Sequence, residues 1–286
     1  MYVVTGATGQ LGRLVVEGLL AKVPASEVAV AVRSAGKAAD LAERGVTVRV
    51  VDYDRPESLA GAFAAGDRVL LISGSEVGRR IPQHTAVIEA ARAAGVALLA
   101  YTSAPGAATF RLADEHRATE TAIRASGLPF SFLRNGWYTE NYLGDAAGTV
   151  ARGVVVGSAG DGRVASAPRQ DYADAAVAVL LAEGDESGHT DTVYELSGDA
   201  AWSLPELAAE LAEASGRPVV HREVTPAEHR EVLVGAGLPV GFAEALVDVD
   251  AGIARGELAG TPGDLARLIG RPTRPLAESV RAALGA

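Results

Sequence analysis

Apolar positions along the chain follow two rhythms. Up to Asn135, short continuous apolar runs alternate with segments of helical spacing. The runs lie at residues 2–4, 27–33, 46–52, 67–73, 96–101 and 130–134. A run without polar alternation predicts a strand buried on both faces. Between the runs, the spacing predicts helices over 13–20, 36–44, 56–65 and 112–126, and one that follows the glycine loop 74–82 and ends near Ala94. Asp54 is the N-cap candidate for the third of these, with Pro56 at its start, while Gly95 and Gly127 close the last two. Strand–helix alternation of this kind predicts an α/β fold: a Rossmann-type, doubly wound parallel sheet with helices on both faces.

Beyond Asn135 the rhythm changes. Residues 149–167 are rich in Val and Gly and lack helical spacing, and Gly160-Asp161-Gly162 reads as a hairpin turn. A helix over 169–183 and a strand over 193–196 return to the first pattern. Ser203-Leu204-Pro205-Glu206 and Thr225-Pro226-Ala227-Glu228 each match a capping box with an early Pro, with a strand at 219–224 between them. Helices follow over 240–255, 263–269 and 275–284. The organisation expected is a dinucleotide-binding domain over 1–148, joined by 168–197, and a smaller, mostly helical C-terminal lobe over 149–167 and 198–286. That lobe is expected on the substrate side, over the carboxyl ends of the strands, where open α/β sheets bind ligands.

The first strand passes into its helix through Gly6-Ala7-Thr8-Gly9-Gln10-Leu11-Gly12. Gly6 permits the tight turn, Gly9 lets phosphate oxygens reach backbone N–H groups, and Gly12 lets helix and strand pack closely. Unpaired amides at the helix start favour an anion. A dinucleotide pyrophosphate fits. Where a NAD site carries an acid at the end of strand two, this chain has Arg33, then Ser34, with Lys37 one turn on. Arg can pair bidentately with a 2′-phosphate and Lys adds a point charge. With no acid nearby in sequence, NADP(H) is the expected cofactor.

Charge and composition narrow the chemistry. A formal charge of −10 argues against nucleic acid or an anionic membrane as partner. The absence of Cys excludes disulfides, thiolate catalysis and Cys-bound metal. His84, His116, His189, His221 and His229 are scattered, so no metal is expected. Asp114, Glu115 and Glu120 read as a solvated acidic helix face, and Trp202 as a packing anchor. No apolar run reaches membrane-spanning length, and Met1 opens onto a core strand; no membrane insertion and a cytoplasmic location are expected.

The motifs TGATGQLG, Asp52-Tyr53, residues 73–78 (SGSEVG), 112–116 (LADEH) and 133–138 (LRNGWY) together resemble the bacterial NAD(P)H:quinone oxidoreductases of type 2, within the NmrA-like atypical short-chain dehydrogenases. The chain is also similar to triphenylmethane dye reductases, at 219–221 (VVH) and 233–237 (LVGAG). The resemblance implies that Gly6, Ala7, Thr8, Gly9, Gln10 and Leu11 hold pyrophosphate and that Arg33 holds the 2′-phosphate. It places Ser73, Gly74 and Ser75 beside the adenine ribose and pyrophosphate, and Thr102 and Ser103, at the end of strand five, near the nicotinamide ribose. Asn135, Gly136, Trp137, Tyr138 and Asn141 would border nicotinamide and substrate, joined by Arg169. It also allows a homodimer.

The Tyr-x-x-x-Lys pair of ordinary short-chain dehydrogenases is absent, since 112–126 contains neither Tyr nor Lys. His116 takes the usual Lys position by resemblance. Alcohol oxidation is therefore not expected, whereas reduction of a quinone asks for little beyond hydride delivery and a flat apolar pocket. Tyr138, His116 or water is the expected proton source. Competing readings are a non-catalytic, NADP(H)-sensing NmrA-like regulator and a reductase of triphenylmethane-type dyes.

Overall fold

The computed structural model describes residues 1–106, 108–182 and 188–285. In chain order the first elements are β1 (Tyr2–Thr5), α1 (Gln10–Leu20), β2 (Val28–Val32), α2 (Ala39–Glu43), β3 (Thr47–Val50) and β4 (Arg68–Leu71). Next come α3 (Arg80–Ala94), β5 (Leu98–Ser103), α4 (Leu112–Ser126), β6 (Phe130–Asn135), α5 (Glu140–Leu143), α6 (Ala146–Arg152) and β7 (Val154–Gly157). The chain continues through α7 (Arg169–Leu181), β8 (Thr192–Leu196), α8 (Leu204–Ser215), β9 (Val220–Glu223), α9 (Pro226–Gly235), α10 (Val240–Ala254), α11 (Asp264–Ile269) and α12 (Leu276–Leu284).

The chain divides into two compact units, and the first (1–104, 115–135, 169–195) is built on a seven-stranded sheet of order β3-β2-β1-β4-β5-β6-β8. The strands β1 to β6 pair in parallel throughout. Every residue of β2 and β5 is buried, as unalternated apolar runs require. On one face Val3, Ala29, Leu71, Leu99 and Phe132 pack against Val87, Ile88 and Ala91 of α3 and Ile123 of α4. On the other, α1 packs on α7, and a Cβ on Gly18 would stand 2.9 Å from Val177 Cγ2. Strand order reverses between β1 and its neighbours β2 and β4, which opens a crevice at the carboxyl ends.

The second unit comprises 105–114, 136–168 and 196–286. Here β7 pairs in parallel with β9, α8 packs on α12, and α9 packs on α10. Both expected capping boxes form, at Ser203 with Glu206 and at Thr225 with Glu228. Residues 136–148, which the sequence pattern assigned to the first domain, lie in this unit, because α6 packs on α8 and α12.

Several local expectations are corrected. The helix over 56–65 is a single 3-10 turn, Pro56–Leu59; Ala60 is extended and Gly61 has φ +74°, so the turn cannot propagate. Asp54 does not cap it: its carboxylate takes Arg79 and Gln83 instead. The strand expected over 96–101 runs on through Thr102 and Ser103, which end β5 paired with Leu133 and Arg134. Residues 149–152 are helical, in α6, which Asp145 caps at one end and Gly153 (φ +70°) closes at the other. The hairpin at Gly160 does not form, because β7 finds its partner in β9. The end expected for α7, Glu183, and the last residue of the lobe, Ala286, lie outside the described residues.

Candidate functional site

The glycine turn behaves as its spacing demands. Gly6 has φ +57°, and the Gly9 N–H donates to the Gly6 carbonyl at 2.9 Å. A Cβ on Gly12 would collide with the Gly6 carbonyl oxygen and lie 2.7 Å from Ala7 Cα, so only glycine allows this helix–strand approach. Gly9 is the N-cap of α1 and no side chain caps it, so the first amides of the helix face the crevice. The crevice measures about 320 Å³. Its walls include Gly6, Thr8, Gly9, Gln10 and Leu11 of the turn, Arg33 and Lys37 after β2, and Ser73, Gly74 and Ser75 after β4. Ala7 is fully buried beneath it and forms no part of the wall. An unblocked amide cradle with a basic rim fits NADP(H).

Sequence spacing missed three features of this crevice. Asp52 and Tyr53 line it from the end of β3, with the Tyr53 phenol pushed up to about 12 by burial. Glu76 lies at the same rim, and Arg33 Nη1 donates to its Oε1 at 2.9 Å. The expectation that no acid stands near Arg33 is therefore wrong in space, though right along the chain. Only the third dimension places residues 43 apart at one rim.

The loop after β4 is clamped from beneath. The Gly74 N–H donates to His84 Nε2 at 3.0 Å, and Arg80 Nε donates to the Gly74 carbonyl at 2.6 Å. Thr119 Oγ1 gives its hydrogen to the Glu115 carbonyl, so it accepts from His84 Nδ1–H at 2.9 Å. These bonds fix His84 as the neutral Nδ1–H tautomer. Burial, helped by the positive Arg80, pushes its pKa down to about 4. The Gly78 N–H donates to Glu115 Oε1, and Ser73 Oγ is buried without a hydrogen-bond partner in the protein. Such an orphan at the wall of a crevice fits a ligand oxygen or water.

The strand tops are tied laterally. Thr5 Oγ1 accepts from the Ile72 N–H, and Thr102 Oγ1 accepts from the Ser73 N–H, both at 2.9 Å. Ser103 Oγ donates to Glu120 Oε1 at 2.7 Å. Arg134 grips the same carboxylate bidentately, at 2.9 and 2.7 Å. Glu120 is 2% exposed, which corrects the solvated acidic face. His116 is half-buried, and its Nδ1 bonds the hydroxyl of the fully buried Tyr101 at 2.9 Å. Burial first, and then Arg80, push its pKa down to about 3, so the ring is neutral at physiological pH. Asn135 ends β6 and is buried, and Arg169 starts α7.

In the second unit a mainly apolar cavity of about 820 Å³ is lined by Trp137 and Asn141, with Tyr142, Leu207, Leu233 and Val249 among its other walls. Tyr138, beside them in sequence, bridges to Ala167 and is not part of this wall. Trp202 is buried, its Nε1 donating to Ser166 Oγ at 3.0 Å, as a packing anchor does. Among the described residues no three His, Asp or Glu converge as a metal site would need, and no helix is long and apolar enough to cross a membrane.

Residues 6–183 match the NAD(P)H-binding family. The chain is 49% identical to quinone oxidoreductase 2 of Escherichia coli (strain K12), covering 98% of this chain and 97% of that one. The crystal structure of the NADPH-dependent quinone oxidoreductase of Escherichia coli complexed with NADPH superposes with a TM-score of 0.94, at 48% identity over 99% of this chain and 100% of the other. Citrobacter sp. triphenylmethane reductase complexed with NADP(H) gives a TM-score of 0.93, at 43% identity over 99% and 100% of the two chains.

Proposed function

The chain belongs to the NAD(P)H-binding family, and from that premise we propose that it is an NADPH-dependent oxidoreductase that reduces a quinone or a similar flat, apolar acceptor. The observation that carries the reading is the uncapped glycine cradle with a basic rim, in a chain similar along its whole length to a quinone oxidoreductase whose structure holds NADPH. When bound, NADPH supplies a hydride from its nicotinamide ring.

The protein's part is to bind and to orient. The amides at the start of α1 take the pyrophosphate, and Arg33 and Lys37 take the 2′-phosphate. The clamped Gly74 loop presents Ser73 and Ser75 to the dinucleotide. Ser103, its hydrogen committed to Glu120, is left as an acceptor for a ribose hydroxyl. Trp137 and Asn141 offer the acceptor a wide, mainly apolar wall. Effective transfer needs the reacting atoms held within about 3.5 Å, and closure against water strengthens every polar contact made there. His116, neutral and bonded to Tyr101, lacks a spare acidic proton, so Tyr138 or water protonates the reduced acceptor. The site works in the cytoplasm, where NADPH is at hand.

Steady-state oxidation of NADPH in the presence of menadione or benzoquinone tests the reading. Stoichiometric loss of NADPH with hydroquinone formation is the expected result. Tight NADPH binding with no turnover of any quinone would overturn it in favour of a nucleotide sensor.

A further inference from the structure

We propose that Glu76 sets the discrimination between NADPH and NADH, by competing with the 2′-phosphate for Arg33. The inference rests on the reading of Arg33 as the partner of that phosphate.

Both residues line the crevice, one at the end of β2 and the other in the loop after β4. Arg33 Nη1 donates to Glu76 Oε1 at 2.9 Å. The second carboxylate oxygen accepts from Gln83 Nε2 at 3.4 Å and lies 3.8 Å from Arg79 Nη1. Lys37 and Asp52 share the rim, and Arg79 is drawn to Asp54 at 2.9 Å. The Arg33 side chain is 69% exposed and that of Glu76 34%, so solvent screens the pair and it exchanges readily.

A phosphate monoester carries nearly two negative charges and three strong acceptor oxygens, and it displaces a single carboxylate from a planar guanidinium. It must still expel Glu76, whose charge opposes its approach. Arg79 is placed to receive the expelled carboxylate. A dinucleotide with a 2′-hydroxyl meets no such opposition. Glu76 can stay on Arg33 and accept that hydroxyl's hydrogen bond, the service an acid at the end of strand two performs in NAD sites. One carboxylate thus hinders the phosphorylated dinucleotide and assists the other. The preference for NADPH is smaller than Arg33 and Lys37 alone would give.

Titrations of wild type, Glu76→Gln, Arg33→Ala and the double variant with NADPH and with NADH, followed by cofactor fluorescence, test this at low and high salt. Glu76→Gln should tighten NADPH by roughly threefold to tenfold, leave NADH unchanged or weaker, and lose much of the gain at high salt. Arg33→Ala should weaken NADPH selectively, and in its background Glu76→Gln should gain less. An unchanged NADPH:NADH ratio in Glu76→Gln would overturn the proposal, as would an equal gain in both backgrounds, which signals plain repulsion. If Arg33→Ala leaves the ratio intact, the reading of Arg33 itself falls, and the proposal with it. Matching melting temperatures without cofactor exclude misfolding as the cause.

Discussion

The Ser103 hydroxyl is an acceptor because Glu120 takes its hydrogen, and Glu120 can stay ionised in the interior because Arg134 grips it with two bonds. Burial alone would raise the Glu120 pKa, but Arg134 and Ser103 outweigh it and hold the carboxyl below its ordinary range. Removing one partner of such a pair strands the other. Glu120→Ala should therefore cost about 2–3 kcal/mol in urea unfolding, discounted because Arg134 keeps some water contact. His84 and His116 are also held below their ordinary range, but by burial, which favours the neutral ring. The unfolded chain protonates them near the ordinary value of about 6.5, while the folded chain resists until about pH 4 and 3. Their contribution to stability is full above neutrality and is lost as pH falls through 6.5 towards those values. Melting temperatures from pH 7.5 to 4.5 should show it, with a flatter dependence in His84→Gln and His116→Gln. A slope untouched by either substitution would contradict the account.

Two glycines of α1 decide how closely that element packs, and they tolerate change differently. A Cβ on Gly12 meets backbone, which cannot yield, so Gly12→Ala should cost about 1–3 kcal/mol and loosen NADPH binding as the helix start moves away from the turn. A Cβ on Gly18 meets the Val177 side chain, which can be trimmed. Gly18→Ala should be destabilising alone and partly restored by Val177→Ala, a coupling that a double-mutant cycle by thermal melting would read. The same elements show what sequence could reveal. The glycine turn, the seven strands of the large sheet and both capping boxes were legible because their signals are local and periodic. The helix α6 was not, because its seven residues are too few for a period and its limits lie in Asp145 and Gly153. Pairing of β7 with β9 leaves no trace in spacing, because 62 residues separate the two ends of a sheet that neither predicts. The pairing of Glu76 with Arg33 is hidden for the same reason, whereas Arg33 itself was found from its position after β2.

At the scale of the whole molecule, a net charge of −10 would repel a polyanionic ligand, so affinity for NADPH must be local. In the proposed reading it resides in the α1 amides, Arg33 and Lys37, which line the crevice. Arg33→Glu should invert the preference, lowering kcat/KM for NADPH by about tenfold or more while sparing NADH, as steady-state kinetics with both cofactors would show. In the proposed reaction, NADPH bound in the glycine cradle gives its hydride directly to a quinone. Single-turnover mixing of the NADPH-loaded protein with menadione, using NADPH deuterated at the transferred position of nicotinamide C4, tests this most directly. The account predicts that cofactor absorbance and quinone disappear together, one for one, and that deuterium slows both. Bound cofactor that survives mixing, or loss at a rate indifferent to deuterium and out of step with the quinone, would contradict it.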